Sequence, residues 1–121
     1  MEQPAWITCA SFSHDQKHIV TCSDDLLVRI WNSETNTIIG TMSGHISEIR
    51  IVCFSPDDKY IASAALDQTI RIWDVEQQKQ IHVFHTASGV WALAWNPIDT
   101  TLLTAGDAVG YVYFLKIRDI K

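Results

Sequence analysis

The chain has 121 residues, of which 47% are hydrophobic and 19% charged, and its formal net charge is −5. This composition is typical of a globular protein and excludes a disordered or collagen-like chain. The length predicts a single domain, because folded domains most often contain about 100–150 residues. The acidic balance argues against a protein that binds nucleic acid by neutralising phosphates.

Several features bear on the cellular compartment. The sequence has no apolar run long enough for a transmembrane helix, and Met1–Pro4 lacks the basic flank of a signal peptide. The cysteines Cys9, Cys22 and Cys53 form an odd set without C-x-x-C spacing, which argues against a disulfide framework or a zinc site. We therefore expect an intracellular protein, cytoplasmic or nuclear, without metal or cofactor. For Cys9 and Cys22 we expect core packing rather than redox or metal chemistry.

Three copies of one pattern follow one another, at spacings of 42 and then 41 residues. Each copy has one aromatic residue near its start and a second aromatic residue 19 positions later. Ala108 of the third copy stands where the first two copies have Asp25 and Asp67. The aromatic pairs are Phe12 and Trp31, Phe54 and Trp73, and Trp95 and Phe114. Self-similarity at a fixed period of this length indicates a repeat architecture.

Within each copy, short runs rich in Ile, Val, Thr and aromatic residues alternate with polar turn clusters. Their apolar period is two, which predicts β-strands joined by tight turns and no helix. The predicted strands are residues 5–12, 17–22, 27–31, 37–42, 48–54, 60–64, 69–73, 79–84, 90–95, 101–105 and 110–115. The fold class is therefore all-β, with about four strands in each repeat.

Short motifs complete the pattern. Gly44-His45 precedes the second copy, Ser55-Pro56-Asp57 forms its first turn, and Ile70-Arg71-Ile72-Trp73-Asp74 ends its third strand. Val28-Arg29-Ile30-Trp31-Asn32 is the matching end in the first copy. Over about residues 5–117 the chain resembles the WD-repeat β-propeller family, strongly in the first two copies.

The resemblance implies about three four-stranded blades in an incomplete ring, as one partial propeller domain over residues 1–121. The blades are expected at about residues 5–42, 47–84 and 89–117, and the third lacks its outer strand. Propellers have about four to eight blades, so both end blades should expose apolar flanks.

A structural hydrogen-bond network explains several repeated polar residues. A turn Asp can accept bonds from turn amides, a His can bridge that Asp to a strand hydroxyl, and a buried Trp indole needs an acceptor. The complete predicted set is His45, Ser63, Asp67 and Trp73. The first copy offers Thr21, Asp25 and Trp31 without the His, and the third offers Thr104 and His85.

Ser63, His45 and Asp67 also match the residue types of a hydrolase triad. No glycine turn that could form an oxyanion hole follows the serine, and a repeated structural network accounts for each residue. We therefore predict a protein that is not an enzyme.

The resemblance further implies partner binding on one rim of the propeller. The corresponding positions lie at the entry of the first strand, two residues further on, and just before the turn Asp. In this chain they are Trp6, Thr8, Asp24, Glu48, Arg50, Leu66, Gly89, Trp91 and Asp107. Trp and Arg are enriched in interface hot spots, although Trp6 and Trp91 have the alternative of packing on loops or on a neighbouring blade.

Arg29 and Arg71 occupy matching places two residues before each repeated Trp. We expect both on the solvent side of their strands. Two arginines in an acidic chain do not make a phosphate-binding surface.

The predicted function is a scaffold that binds a peptide or partner protein on the propeller rim. The alternative is a structural oligomerisation unit, or a fragment that completes a propeller with another chain. Partners are thus other proteins, a second copy, or a chain supplying further blades, with no membrane and no nucleic acid.

Overall fold

A computed structural model describes residues 6–116, which contain eleven β-strands and no helix. Every strand lies within two residues of its predicted bounds, so the all-β prediction is confirmed. Two predicted blade ends, residues 5 and 117, lie outside the described residues. The strands are β1 Ile7–Phe12, β2 His18–Ser23, β3 Leu27–Asn32, β4 Thr37–Ser43, β5 Ile49–Phe54, β6 Tyr60–Ala65, β7 Thr69–Asp74, β8 Lys79–His85, β9 Val90–Trp95, β10 Leu102–Asp107 and β11 Val112–Lys116.

The strands form three antiparallel meanders in chain order. Sheet 1 contains β1–β4, sheet 2 contains β5–β8, and sheet 3 contains β9–β11. Tight turns join neighbouring strands, and six turn residues other than glycine have positive φ. These residues recur at the same turn positions, 42 apart: Gln16 and Asp58, Leu26 and Gln68, Asn36 and Gln78. The repeat seen in sequence is therefore also a repeat of backbone conformation.

Two hydrophobic layers hold the sheets together. One lies between sheets 1 and 2 and includes Val20, Ile30, Phe54 and Trp73. The other lies between sheets 2 and 3 and includes Ile70, Ile72, Val90 and Leu103. Because sheet 2 is covered on both faces, every residue of β6 after Tyr60 is buried.

Sheets 1 and 2 are also joined by polar contacts at both ends of β1. The hydroxyl of Thr8 donates a hydrogen bond of 3.1 Å to the backbone oxygen of Ile49. Beyond the other end of β1, the Asp58 carboxylate accepts bonds from the backbone N–H groups of His14 and Asp15, at 2.8 and 3.0 Å. These contacts fix the inner strands of the two sheets at two separate points.

The third repeat departs from the predicted alignment. Six residues join β9 to β10, whereas five join β5 to β6, so β10 and β11 follow the second repeat at 42 residues rather than 41. Leu115 faces Leu103 as Trp73 faces Ile61. The prediction that Phe114 replaces Trp73 is therefore wrong, and Phe114 is 79% exposed.

The same shift removes Thr104 from the predicted network. Ala105, rather than Thr104, takes the place of Ser63, because Ala105 pairs with Tyr113 as Ser63 pairs with Arg71. The Thr104 hydroxyl donates instead to the backbone oxygen of Ala94, and His85 is exposed.

Candidate partner-binding site

The predicted rim is built by one backbone hydrogen bond that recurs in all three sheets. The amide N–H of the residue after each second strand donates to the carbonyl that precedes the neighbouring inner strand. The three bonds run from Asp24 to Trp6, from Leu66 to Glu48 and from Ala108 to Gly89, at 2.9, 2.8 and 2.9 Å. This bond closes the top of each sheet and presents the flanking side chains on one edge.

The centre of the rim is a contact between two sheets. The Arg50 guanidinium on β5 lies 4.1 Å from the ring centre of Trp91 on β9. Its Nη1 donates a 3.0 Å hydrogen bond to the Glu48 carboxylate, which fixes the guanidinium plane. Trp91 remains 49% exposed despite this contact. Arg50, Glu48 and Trp91 therefore form a preorganised surface that joins a charge to an aromatic ring.

Other predicted rim residues extend this surface on either side. Trp6 is 81% exposed, and its backbone N–H donates to the Asp24 carboxylate. Leu66 is also exposed and lies against Gly89, where a Cβ would come within 2.9 Å of the Leu66 side chain. Among residues 6–116, the Trp6 ring therefore lies largely in solvent. Exposed aromatic side chains of this size are typical of binding surfaces.

Thr8 has a structural role in addition to its place beside the rim. Its hydroxyl reaches the backbone oxygens of Cys22 and Ile49, at 3.2 and 3.1 Å. Thr8 thus links β1 both to its own sheet and to sheet 2.

Asp107 does not lie at the rim position predicted for it. The backbone bond to Gly89 comes from Ala108, so Ala108 occupies the place of Asp24 and Leu66. The prediction that Ala108 stands in the place of Asp25 and Asp67 is therefore wrong. Asp107 is buried, and its carboxylate accepts bonds from the backbone N–H groups of Val109 and Tyr111 and from the Tyr113 hydroxyl. The longer turn before β10 causes this displacement, and Asp107 closes the following turn instead.

Below the rim, sheet 2 contains a continuous chain of side-chain hydrogen bonds. Trp73 Nε1 donates to Ser63 Oγ at 2.8 Å, and Ser63 Oγ lies 2.6 Å from His45 Nε2. His45 Nδ1 lies 2.9 Å from the Asp67 carboxylate, which also accepts the Ile46 N–H. Because a carboxylate only accepts, His45 Nδ1 donates, Nε2 accepts from Ser63, and Ser63 in turn accepts from Trp73.

The protonation states follow from this geometry. Burial lowers the pKa of His45, against the opposing effect of Asp67, so the imidazole is neutral at neutral pH. Burial raises the pKa of Asp67, but hydrogen bonds from Thr69, Ile46 and His45 outweigh it and leave this pKa below its usual value.

Among residues 6–116, the corresponding hydrogen-bond network of sheet 1 contains no histidine. Trp31 Nε1 donates to Thr21 Oγ1 at 3.0 Å, as the sequence suggested. Arg29 supplies the missing link, since its Nη2 lies 2.7 Å from the Asp25 carboxylate and its Nη1 donates to Ser23 Oγ. Arg29 is buried, with 6% of the residue exposed, so the prediction of a solvent-side arginine is wrong for Arg29. The ion pair with Asp25 makes that burial possible.

Arg71 differs from Arg29 because sheet 2 has the histidine. Its Nε donates to Thr69 Oγ1 and its Nη1 donates to Gln80 Oε1, and the side chain is only partly buried. Sheet 3 uses Tyr113 in the corresponding place. Its hydroxyl donates to Asp107 and accepts the Ala87 N–H, at 2.7 and 2.8 Å. Tyr113 was missed in the sequence because the 41-residue alignment did not place it opposite Ala105.

The Ser63, His45 and Asp67 geometry matches the bond pattern of a hydrolase triad, but its surroundings do not permit that chemistry. Ser63 is fully buried, and its Oγ accepts the Trp73 indole N–H from one side while donating to His45 on the other. A substrate carbonyl cannot reach this oxygen without displacing the core. These residues therefore stabilise the turn below the rim.

Metal binding and membrane insertion are two further possibilities for the described residues. Residues 6–116 hold no group of three or more His, Cys, Asp or Glu side chains arranged to bind a metal ion. Among those residues there is likewise no helix capable of spanning a membrane.

Comparisons with known proteins give one consistent result. The family model for the WD40 domain of the E3 ubiquitin-protein ligase RFWD3 matches residues 42–121. The model for the WD domain, G-beta repeat, matches residues 2–32. No curated protein matches the chain significantly.

Among solved structures, the β-propeller domain of Cps50 (Swd1) from Myceliophteria thermophila has a TM-score of 0.91 and 19% sequence identity. The match covers 98% of this chain but 36% of that chain, so the present sequence spans about one third of the related structure. The fold of that propeller domain agrees with the three sheets and the incomplete ring of this chain. The two family models and the repeated Trp and Asp turns together show that the chain belongs to the WD-repeat β-propeller family.

Proposed function

We propose that this chain binds a peptide or partner protein on the rim formed by Trp6, Glu48, Arg50, Leu66 and Trp91. WD40 propeller domains generally act as protein-interaction scaffolds rather than as catalysts. The observation that carries the proposal is the Arg50 guanidinium held over the exposed Trp91 ring at 4.1 Å. We also propose an intracellular location, cytoplasmic or nuclear, which the three free cysteines support.

The chemistry of the rim favours a partner with an apolar side chain next to an acidic group. Trp6 and Trp91 offer apolar area that requires little conformational ordering. Arg50 is paired with Glu48 on one side only and has 34% of its side chain exposed, so further guanidinium donors can meet a carboxylate. The Glu48 carboxylate then selects against partners that place a second acidic group beside the first.

Selection of binding peptides tests the proposal directly. A random peptide library would be panned on the purified chain, and the affinities of selected peptides measured by calorimetry. Trp91→Ala and Arg50→Ala should each weaken binding by about tenfold or more, as hot-spot truncations do. Gln77→Ala, in the exposed turn after β7, is the matched control and should leave the affinity unchanged. Selected peptides that bind the two rim variants as tightly as the unaltered chain would overturn the proposal.

A second candidate is association of two copies through the open face of sheet 3. Val112 and Phe114 are 64% and 79% exposed on this face, beside the small residues Ala92 and Ala94. Light scattering over a range of concentrations distinguishes the two functions. A dimer that Phe114→Lys dissociates, and that Trp91→Ala does not affect, would favour association through sheet 3.

A further inference from the structure

Two of the three cysteines face each other across neighbouring strands. Cys9 on β1 is the direct register partner of Cys22 on β2 in an antiparallel pair. Directly opposed side chains in such a pair lie on the same face, with Cα atoms about 4.5–5.5 Å apart. Disulfides form across Cα separations of about 4.4–6.8 Å. The backbone therefore already has the spacing that a Cys9–Cys22 disulfide requires.

The Cys22 thiol contacts the backbone of Cys9. Cys22 Sγ donates to the backbone oxygen of Cys9 at 3.7 Å, and the Thr8 hydroxyl oxygen lies 3.5 Å from the same sulfur. Both cysteines are free in this structure.

The two thiols differ in their access to solvent. Cys22 is completely buried in the layer between sheets 1 and 2, whereas Cys9 is partly exposed at the edge of that layer. A small oxidant can therefore reach Cys9 first, and Cys22 is positioned behind it. In the reduced chain, Cys22 packs in the core, as the sequence predicts.

We propose that Cys9 and Cys22 form a reversible redox pair, in which a peroxide oxidises Cys9 and Cys22 then closes a cross-strand disulfide. In the first step the Cys9 thiolate attacks hydrogen peroxide, the O–O bond breaks, and Cys9 sulfenic acid and hydroxide form. In the second step the Cys22 sulfur attacks the Cys9 sulfur, and the S–O bond breaks. The departing hydroxide takes the Cys22 proton to give water, and the hydroxide of the first step takes the proton that Cys9 lost when it ionised. One peroxide and two thiols thus yield one disulfide and two waters.

The ionisation of the three thiols supports this order of events. The hydrogen bond from Cys22 lowers the pKa of Cys9, against the opposing effect of burial, and backbone bonds from Val52 and Ala10 lower it further. The bond with Cys9 and burial raise the pKa of Cys22. Burial raises the pKa of Cys53 to about 11. Since the thiolate is the reactive form, Cys9 is the thiol that a peroxide attacks.

Closing the disulfide would fix β1 to β2 next to the rim. β1 follows directly after Trp6, and β2 leads into Asp24. The disulfide would therefore link the two strands that carry Trp6 and Asp24 without altering either rim side chain.

Peptide mapping of the folded chain after treatment with hydrogen peroxide tests the proposal. Mass spectrometry under non-reducing conditions should show a Cys9–Cys22 linked peptide, a reduced Cys53, and full reversal by dithiothreitol. At pH 7, alkylation of Cys9 by iodoacetamide should exceed that of Cys53 by about tenfold or more. A Cys9–Cys53 link, oxidation of Cys9 to sulfonic acid without a disulfide, or cross-linking only after denaturation would each overturn it.

Two variants separate the steps. Cys53→Ser should form the same disulfide as the unaltered chain. Cys22→Ala should stop at Cys9 sulfenic acid, which dimedone traps. If Cys22→Ala does not fold, the linked peptide from the unaltered chain remains decisive, because it needs no substitution in the core. Failure of the peptide-binding experiment on the rim would leave this proposal unaffected.

Discussion

Trp73 and Ser63 lie ten residues apart in the sequence, and the Trp73 indole N–H donates a 2.8 Å hydrogen bond to Ser63 Oγ across β6 and β7. The same oxygen lies 2.6 Å from His45 Nε2. One hydroxyl group therefore satisfies two buried side chains that come from different segments of the sheet. The absence of this oxygen would leave both without their partner.

The substitution Ser63→Ala should lower the free energy of unfolding by about 1–3 kcal/mol, the usual cost of leaving buried polar groups unpaired. Urea unfolding followed by circular dichroism measures this change. Ser43→Ala, at the exposed end of β4, is the matched control and should change the stability by less than about 0.5 kcal/mol. Equal midpoints for the two variants would contradict the role assigned to Ser63.

The stability of the fold should depend on pH through His45. Burial holds the pKa of His45 in the folded chain below its ordinary value of 6.5. Between these two pKa values the unfolded chain binds a proton that the folded chain does not, so the free energy of unfolding falls as the pH is lowered below about 6.5. The contribution of neutral His45 to the free energy of unfolding is fully present above about pH 6.5.

The pH effect can be assigned with two histidine variants. His45→Gln should flatten the dependence of unfolding free energy on pH below pH 6.5, measured by urea titrations at several pH values. His85→Gln, on the exposed end of β8, should keep the original slope. An unchanged slope in His45→Gln would show that other groups carry the effect.

The stability of the chain should respond unequally to loss of the buried Arg29 and to loss of its more exposed partner Asp25. Asp25→Ala leaves the guanidinium buried without its carboxylate, and we expect a loss of about 1–3 kcal/mol in unfolding free energy. Arg29→Met removes the buried charge and keeps apolar volume, so its cost should be smaller. The double variant should be more stable than Asp25→Ala alone, as measured by thermal and urea unfolding. A loss of stability in the double variant equal to the sum of the two single losses would refute this interpretation.

The positive φ of Gln68 stores backbone strain in the turn between β6 and β7. Its φ is 66°, a conformation that glycine adopts at no steric cost. Gln68→Gly should therefore raise the unfolding free energy by up to about 1 kcal/mol. Gln77→Gly, also exposed but without positive φ, should lower it. The two melting temperatures should move in opposite directions, and movement in the same direction would count against strain at Gln68.

The strand pattern and the second-sheet network could be predicted from sequence because both depend on local spacing. Successive side chains of a strand point to opposite faces, which fixes the residues of β6 that face each neighbouring sheet. The repeat also places His45, Ser63 and Asp67 in register. The burial of Arg29 could not be predicted in this way. It depends on a carboxylate close enough to compensate the charge, since Asp25 lies 2.7 Å from the Arg29 guanidinium.

The third repeat shows why equal spacing of aromatic residues is insufficient. Phe114 preserves the distance to Trp95, yet one additional turn residue turns its side chain to the opposite face of the sheet. Because a strand alternates at every residue, a shift of one position exchanges core and surface. Only the pairing of Leu103 with Leu115 and of Ala105 with Tyr113 reveals the correct register.

The two polar links between sheets 1 and 2 have a mechanical consequence. Thr8 ties one end of β1 to Ile49, and Asp58 holds the two amides beyond its other end. A body attached at two separated points cannot hinge without breaking one attachment. Sheets 1 and 2 should therefore respond to a bending force as one stiff plate.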